Sequence, residues 1–431
     1  MQHQKQYSSA NKLFATLLMF FLAPALAGQP VRAQTFKVLH RFRGPDGAFP
    51  TGALVRDSAG NLYSTTSGGG DGGCDGYGCG TVFKMDKTGD EIWLYSFKGE
   101  NQIWPLAGLV RDVGGKLYGT TVDGGKITKD CGGREAGGCG TVFRVSESAR
   151  GKTLYRFKGP PDGYFPEALL VRDGSGNLYG TTYVGGADGL GSIFKIDVTG
   201  NETILYSFTG GSDGCSPYTG VILDSVGNLY GVTQSGGLDF CDSGYGVVFK
   251  LDRSNNLTVL KTFNGEDGAV PDSVLLFDSQ GNLYGTTAQG GSSPECGDTG
   301  CGTVFELSPN PNGTWTENVL YNFCSLENCT DGEQPGTGPL VMDVAGNIYG
   351  TTYFGGTYAN CDGDTCGTVF KLRGTGEETV LHSFTGGLDG AFPFAGLVMG
   401  PSGTLYGTTQ QGGKSCFNGA YRCGVIFEIT P

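Results

Sequence analysis

Gly176-Asn177-Leu178-Tyr179-Gly180-Thr181-Thr182 decides the fold, because the chain writes this stretch seven times with small changes. The other copies begin at Gly60, Gly115, Gly227, Gly281, Gly346 and Gly403. Their tyrosines recur at intervals between 51 residues (Tyr179 to Tyr230) and 65 residues (Tyr284 to Tyr349). A period of this size allots one small supersecondary unit to each copy, the signature of a solenoid, a propeller or an array.

Before the motif stands a turn of the form Asp-x-x-Gly-Asn, as in Asp57-Ser58-Ala59-Gly60-Asn61, and before that an apolar run such as Gly52-Ala53-Leu54-Val55 or Gly108-Leu109-Val110. Asp bonds its own backbone and Gly supplies positive φ, which is the chemistry of a tight hairpin. After the motif a Gly-Gly pair opens a longer loop ending in a second recurrent run, Gly80-Thr81-Val82-Phe83 in the first unit and Gly302-Thr303-Val304-Phe305 in the fifth. A polar hairpin such as Asp197-Val198-Thr199-Gly200-Asn201 then leads to a fourth run, Leu205-Tyr206-Ser207-Phe208. These runs, A to D in order, are rich in Val, Leu, Tyr, Phe and Thr and read as one four-stranded antiparallel sheet with apolar residues on both faces. Seven such sheets, each packed on both sides, predict an all-β, seven-bladed β-propeller. The chain opens with a lone D run, Val38-Leu39-His40-Arg41-Phe42, and ends on runs A, B and C, with Gly424 to Thr430 last. The N-terminal D strand is therefore expected to close the last blade and hide a sheet edge. Nothing in residues 34–431 reads as a helix or a linker, so they are taken as a single propeller domain.

Residues 1–33 read as a secretory signal. Lys5 and Lys12 precede the apolar run from Leu13 to Leu22, and Ala25-Leu26-Ala27 and Val31-Arg32-Ala33 both fit a cleavage site, with cleavage expected before Gln34. A retained anchor is the weaker reading, since the run is short for a bilayer span. The mature protein is expected to be secreted, periplasmic or extracellular, with no membrane span. A formal charge of −13 argues against nucleic-acid and anionic-membrane partners and makes any charged partner cationic.

Fourteen cysteines in an exported chain imply an oxidising compartment. They fall into close pairs: Cys74 with Cys79, Cys131 with Cys139, Cys296 with Cys301, Cys324 with Cys329, Cys361 with Cys366, and Cys416 with Cys423. Cys215 and Cys241 remain and pair by elimination. In the deduced topology all lie in B-to-C or D-to-A loops on one face of the ring, while the short A-to-B and C-to-D turns form the other. A zinc reading is set aside, because the spacing is not Cys-x-x-Cys and histidine is nearly absent.

The D-to-A loops repeat Asp-Gly-x-x-Pro at Asp46, Asp162, Asp213, Asp267, Asp331 and Asp389, and the loop into the second blade departs as Gly99-Glu100-Asn101-Gln102-Ile103-Trp104-Pro105. Because this loop feeds the innermost strand, the aspartates are expected to ring the channel mouth. They read either as oxygen ligands for Ca²⁺, or acceptors for a cationic or sugar ligand, or as caps of their own turns. A motif repeated once per blade favours the cap. Trp104, Tyr164, Tyr183 and Tyr353 fall on or beside the loop face, where rings stack on sugars, anchor a protein or simply pack between blades. Catalysis finds little support. His3 lies in the signal, His40 and His382 sit in outer D strands, and the inner runs such as Ala168-Leu169-Leu170-Val171 are apolar, so there is no Ser-His-Asp triad, no His-based metal site and no assigned catalytic residue. No cofactor is expected beyond a Ca²⁺ ion on the aspartates.

Gly108-Leu109-Val110 and Gly396-Leu397-Val398, combined with the Asn-Leu-Tyr-Gly-Thr-Thr and Gly-Thr-Val-Phe runs, resemble the bacterial GloVer-type tandem-repeat (choice-of-anchor) family of secreted proteins over nearly all of the mature chain. The resemblance implies an exported, surface-associated propeller without an established activity. Members often carry a C-terminal anchoring segment, and this chain stops at Ile429-Thr430-Pro431, directly after a strand, which leaves surface anchoring open. A more distant likeness to NHL and gluconolactonase-type propellers supplies no matching catalytic residues. The expected function is a monomeric, non-enzymatic module that binds an extracellular glycan or protein through the disulfide-bearing face. The alternatives are a carboxylate-dependent hydrolase or lyase acting on a polysaccharide or lactone, and a structural envelope component.

Overall fold

The seven copies of the motif become the second strand of seven antiparallel sheets, beginning with Leu62–Thr66, Leu117–Thr121 and Leu178–Thr182 and ending with Leu405–Thr409. This is a computed structural model, and it describes residues 34–431 apart from 72, 100–102, 126–130, 132–136, 242–243 and 362. The expected signal segment 1–33 lies outside the described residues. In the first blade, strands Val55–Arg56 (A), Leu62–Thr66 (B), Thr81–Met85 (C) and Glu91–Ser96 (D) pair in that order, and the next five blades repeat the pattern, the fifth and sixth with an added short strand, Ala269–Pro271 and Glu333–Pro335, paired to strand B. The seventh takes Thr35–Arg41 as its D strand against Val425–Thr430, paired from Thr35 with Thr430 to Arg41 with Val425 with one register shift between Val38 and His40. The ring is thus a seven-bladed propeller closed as the sequence predicts.

Each residue of the motif has a mechanical reason. Leu229 and its counterparts are buried between blades. The tyrosine hydroxyl reaches the turn: Asp57 accepts from the Asn61 backbone N–H (2.9 Å), the Asn61 side-chain amide (2.8 Å) and the Tyr63 hydroxyl (3.0 Å). The strand B tyrosine donates likewise to Asp112, Asp173, Asp224, Asp278 and Asp343 in their blades. Gly231 lies under the Phe249 ring of strand C, where an added Cβ would come within 2.7 Å of the ring. The second threonine pairs across the sheet, as Thr66 with Thr81 (2.8 Å). Between blades, the phenylalanine ending one D strand meets the strand C phenylalanine of the next edge-on, as Phe97 with Phe143 at 5.1 Å and Phe263 with Phe305 at 5.2 Å. Such pairs add to the burial that dominates blade packing.

Strand A is shorter than the sequence suggests, spanning Val55–Arg56 rather than reaching back to Gly52. The preceding residues run beside the lumen, and their carbonyls are taken by strand B hydroxyls instead of a ladder. Ser64 donates to the Gly52 carbonyl (2.9 Å), and Thr65 donates across the joint to that of Ala107 (2.7 Å). A Cβ on Gly108 would lie 2.4 Å from the Ala53 carbonyl oxygen, so the inner edges of adjacent blades all but touch. The lumen is correspondingly narrow.

Candidate functional site: the loop face

All seven expected disulfides form, and among the described residues no cysteine is free. Cys74 is bonded to Cys79, Cys131 to Cys139, Cys296 to Cys301, Cys324 to Cys329, Cys361 to Cys366 and Cys416 to Cys423. Cys215 is bonded to Cys241, as elimination requires. All belong to the B-to-C and D-to-A loops. In each of the six close pairs, Cys79, Cys139, Cys301, Cys324, Cys366 and Cys423 are the buried members or among them.

The six loop aspartates do not ring the channel. Asp162 accepts from the Tyr155 hydroxyl (2.9 Å) and the Lys158 N–H (3.0 Å), and Asp213 from the Tyr206 hydroxyl (3.0 Å) and the Thr209 N–H (2.8 Å). Asp331 accepts from the Tyr321 hydroxyl (2.7 Å) and the Ser325 N–H (2.8 Å). Asp46 and Asp389 hold His40 (3.1 Å) and His382 (3.2 Å), and Asp267 holds Lys261. Each aspartate stands at the start of its loop, against the outermost strand, and only later does the loop turn inward. The expected channel-mouth placement fails for that reason. His40 and His382 are the donors that four other blades replace by tyrosine or lysine. These carboxylates stay in separate turns. Among the described residues no three of them gather where one cation would meet several oxygens, as Ca²⁺ requires.

Acids from the next blade approach three of these aspartates. Lys261 bridges Asp267 and Glu317. Where tyrosine replaces the lysine, burial and then the aspartate push the neighbouring acid up, Glu202 beside Asp162 to about 7 and Glu378 beside Asp331 to about 8. Sequence spacing gives no hint of these pairs, because the partners come from different blades.

The channel mouth belongs instead to the residue after the loop proline. Thr51, Leu106, Glu167, Tyr218 and Phe394 occupy that register and line the lumen. In the fifth blade the position is Asp272, whose side chain is buried and leaves Oδ1 without a hydrogen bond. Burial pushes its carboxyl up to about 8. Tyr218 is raised first by burial and then by Glu167 and Asp272. The expected residue Tyr183 meets Tyr218 edge-on at 6.0 Å. This position differs in chemistry from blade to blade while its neighbours repeat, and that was the available signal. The lumen itself leaves about 50 Å³, room for water and well short of the 300 Å³ or so at which ligand pockets begin.

A larger hollow opens on the loop face where blades seven, one and two meet. It measures about 400 Å³ and is lined chiefly by Phe49, Tyr77, Trp104, Leu106, Val122 and Tyr421. Phe49 and Trp104 each precede the loop proline and stand in the left-handed region, both at φ 57°. Proline bars its predecessor from the right-handed helical region, and a non-glycine residue held left-handed costs about 1–3 kcal/mol. Two backbone bonds offset that cost. Phe49 N–H donates to the Cys423 carbonyl (3.0 Å) and its own carbonyl accepts from Ser67 (3.1 Å), while Trp104 uses Cys79 (3.2 Å) and Val122 (3.1 Å) alike. The cysteine bond recurs in other blades, from the Phe165 N–H to the carbonyl of Cys139 (3.3 Å) and from the Phe392 N–H to that of Cys366 (2.9 Å). The disulfides thus stiffen the loops that aim these rings. Tyr421 lies edge-on to Phe49 (5.8 Å) and Tyr77 (5.6 Å). Both tyrosines are 45% exposed, so their faces are open to a ligand. Of the expected aromatic residues only Trp104 lines the hollow. Tyr164 stacks on Phe165, and Tyr353 packs in a box with Phe354, Phe392 and Phe394 and donates to Gln410 (3.0 Å).

The family model of the Gloeobacter/Verrucomicrobia repeat matches residues 75–297 and 241–431. No curated protein matches the sequence. Among solved structures, a fungal alcohol oxidase in complex with copper is similar over 93% of this chain and 77% of its own, at 12% identity and a TM-score of 0.55. A protein described as the extracellular domain of a hybrid two component system from B. thetaiotaomicron covers 93% of this chain and 42% of its own, at 14% identity and a TM-score of 0.53. A gluconolactonase from Xanthomonas campestris covers 67% of this chain and 78% of its own, at 12% identity and a TM-score of 0.40. At such identities the first two likenesses speak for the propeller fold alone.

Proposed function

The chain belongs to the Gloeobacter/Verrucomicrobia repeat family, and for it we propose a secreted, non-enzymatic binding propeller that takes a neutral or cationic glycan at the hollow between Phe49, Tyr77, Trp104 and Tyr421. The observation that carries this reading is the hollow itself. At about 400 Å³ it lies within the range of small-ligand sites, and its rings are held by strained, doubly bonded backbone and by neighbouring disulfides. Rings fixed before the ligand arrives lose little entropy on binding. Exposed aromatic faces suit the apolar C–H faces of sugars, and the net charge of −13 disfavours polyanionic ones. Seven disulfides fit an oxidising, extracytoplasmic setting. The hydrolase reading has one observation behind it, the raised carboxyl of Asp272, but the lumen beside it is too small for a sugar ring.

Trp104 is one of three tryptophans and lines the hollow, so the part of the fluorescence that Trp104→Phe removes reports the site. Titration with a panel of neutral and amino oligosaccharides should give saturable quenching by at least one member, lost in Trp104→Phe and weakened in Tyr421→Ala. A blank glycan array together with flat fluorescence up to millimolar sugar would remove the glycan reading, and pull-down of a discrete protein by wild type but not by the same variants would replace it with a protein partner.

A further inference from the structure

The Cys296–Cys301 bridge, in the B-to-C loop of the fifth blade, and the Cys324–Cys329 bridge, in the loop leading into the sixth, lie side by side, and their four sulfurs are all within 4.8 Å of one another. Among the described residues no other His, Cys, Asp and Glu side chains gather in this way. We propose that these four cysteines are also a redox-gated metal site, which in the reduced chain takes a single zinc-class divalent ion as a tetrahedral tetrathiolate.

The geometry supports the ion directly. Zinc–sulfur bonds of about 2.3 Å put the sulfurs of a tetrahedral site roughly 3.8 Å apart. The Sγ atoms of Cys296 and Cys324, from different bridges, are already 3.7 Å apart. Reaching the full tetrahedron requires only that the two bonded pairs separate, a matter of side-chain rotation. Cys301 and Cys324 are buried, whereas Cys296 and Cys329 are half-buried, so reductant and ion have one open side of approach and the finished site is shielded on the other.

The backbone of the Cys324–Cys329 bridge is left-handed at both cysteines. Cys329 stands at φ 50°, Asn328 and Cys324 at 56°. The carbonyl of Cys329 accepts from the Gly356 N–H, the bond that Gly44 makes with Gly70 in the first blade and Gly265 with Gly291 in the fifth. Gly44 and Gly265 have φ of 99° and 92°, whereas the third, fourth and seventh blades use Asp162, Gly211 and Gly387 at this place, so the position accepts a side chain in more than one blade. The expectation of no zinc site rested on the lack of Cys-x-x-Cys spacing and the near absence of histidine, whereas the ligands proposed here are four cysteines, two from each of two loops.

The chemistry balances. Each bridge takes two electrons and two protons from a dithiol, which leaves as its own disulfide. As the ion binds, the four thiols release their protons to water and leave a dianionic centre, so affinity rises with pH. The ion then does for the reduced chain what the bridges do for the oxidised one, holding the loops of two blades together.

The test uses the mature chain, reduced with a phosphine and titrated with Co²⁺, whose tetrahedral thiolate complexes have distinctive visible bands and sulfur-to-metal charge transfer. One equivalent per chain is expected, displaced by Zn²⁺. It should be retained when Cys361→Ser and Cys366→Ser are combined and lost when Cys296→Ser and Cys324→Ser are combined. Absence of the bands, or their persistence in the second double variant, overturns the proposal. Circular dichroism is read in parallel. A reduced chain that loses its strand signal even with one equivalent of ion also overturns it, because the ion is proposed to hold the loops in place.

Discussion

The turn face and the loop face of the ring use their carboxylates in opposite ways. On the turn face, Asp57, Asp112, Asp173, Asp224 and Asp343 all fall below the usual carboxylate range, because bonds from the turn backbone, the following Asn side chain or the strand B tyrosine outweigh the burial that raises them. On the loop face, burial prevails and lifts Asp162, Asp272 and Glu333, while Asp389 is drawn down by His382 and Thr385. One face repeats a single satisfied turn, and the other varies its chemistry and leaves some of it unsatisfied. Variation within a strict repeat, rather than the repeat itself, marks where a ligand is to be sought.

The contrast is broken most directly at Asp272. Its folded pKa of about 8 exceeds the unfolded value, so the folded state holds the proton longer. Stability should fall as pH rises from about 4 to about 8, by about 3 kcal/mol between pH 5 and 7, and level off above. Asp272→Asn should remove that slope and gain stability at pH 8, which urea denaturation at several pH values measures. A wild type with no such slope would place Asp272 in water. The turn-face carboxylates predict the reverse, with stability lost as pH falls through their lowered values.

Second in size is the separation of binding from stability. Trp104→Ala combined with Tyr421→Ala should cost about a hundredfold in glycan affinity, near 3 kcal/mol, as paired aromatic anchors do. The fall in melting temperature should be smaller than for a fully buried aromatic, since Tyr421 is 45% exposed and Trp104 half-buried. Asp224→Ala on the turn face should do the opposite, losing about 1–3 kcal/mol of stability through the unpaired Tyr230 hydroxyl and Asn228 amide, with binding intact. The seventh blade is a natural control, with Gly400 in the place of that aspartate and the turn closed by backbone bonds and a Ser402–Thr404 hydroxyl bond, with no carboxylate.

What was legible in the sequence follows from the same contrast. Blade number, strand order, ring closure and the disulfide pairs were readable because they recur, and recurrence exposes phase. The short strand A was not, since whether the Gly52 carbonyl joins a ladder or meets the Ser64 hydroxyl depends on how tightly blades converge at the lumen. The aspartates were read correctly as turn caps but placed wrongly, because sequence does not say at which point a loop turns inward. The hollow was visible only in Trp104. Phe49 and Tyr421 come from opposite ends of the chain and meet only once Thr35–Arg41 has closed the ring. The cluster of four sulfurs depends on two adjacent loops in the same way.

The smallest effect tests how far the repeat is satisfied at the joints. The first threonine of the motif clamps the next blade: Thr181 donates to the Thr219 carbonyl at 2.8 Å, as Thr65 does to that of Ala107. The fourth blade has Val232 there, and the buried carbonyl at its joint, that of Ser273, accepts from Thr219 instead (3.4 Å). In the fifth blade Thr286 keeps its hydroxyl, but the buried oxygen has no partner. Removing one hydroxyl that is bonded and another that is not should therefore differ in sign. Thr181→Val should cost about 1 kcal/mol by stranding a buried carbonyl, whereas Thr286→Val should be neutral or stabilising, since an unpaired buried hydroxyl is replaced by a methyl of the same shape. Equal losses in denaturant midpoint would mean that the Thr286 hydroxyl is bonded in solution, and the joint between the fifth and sixth blades would then be clamped like the rest.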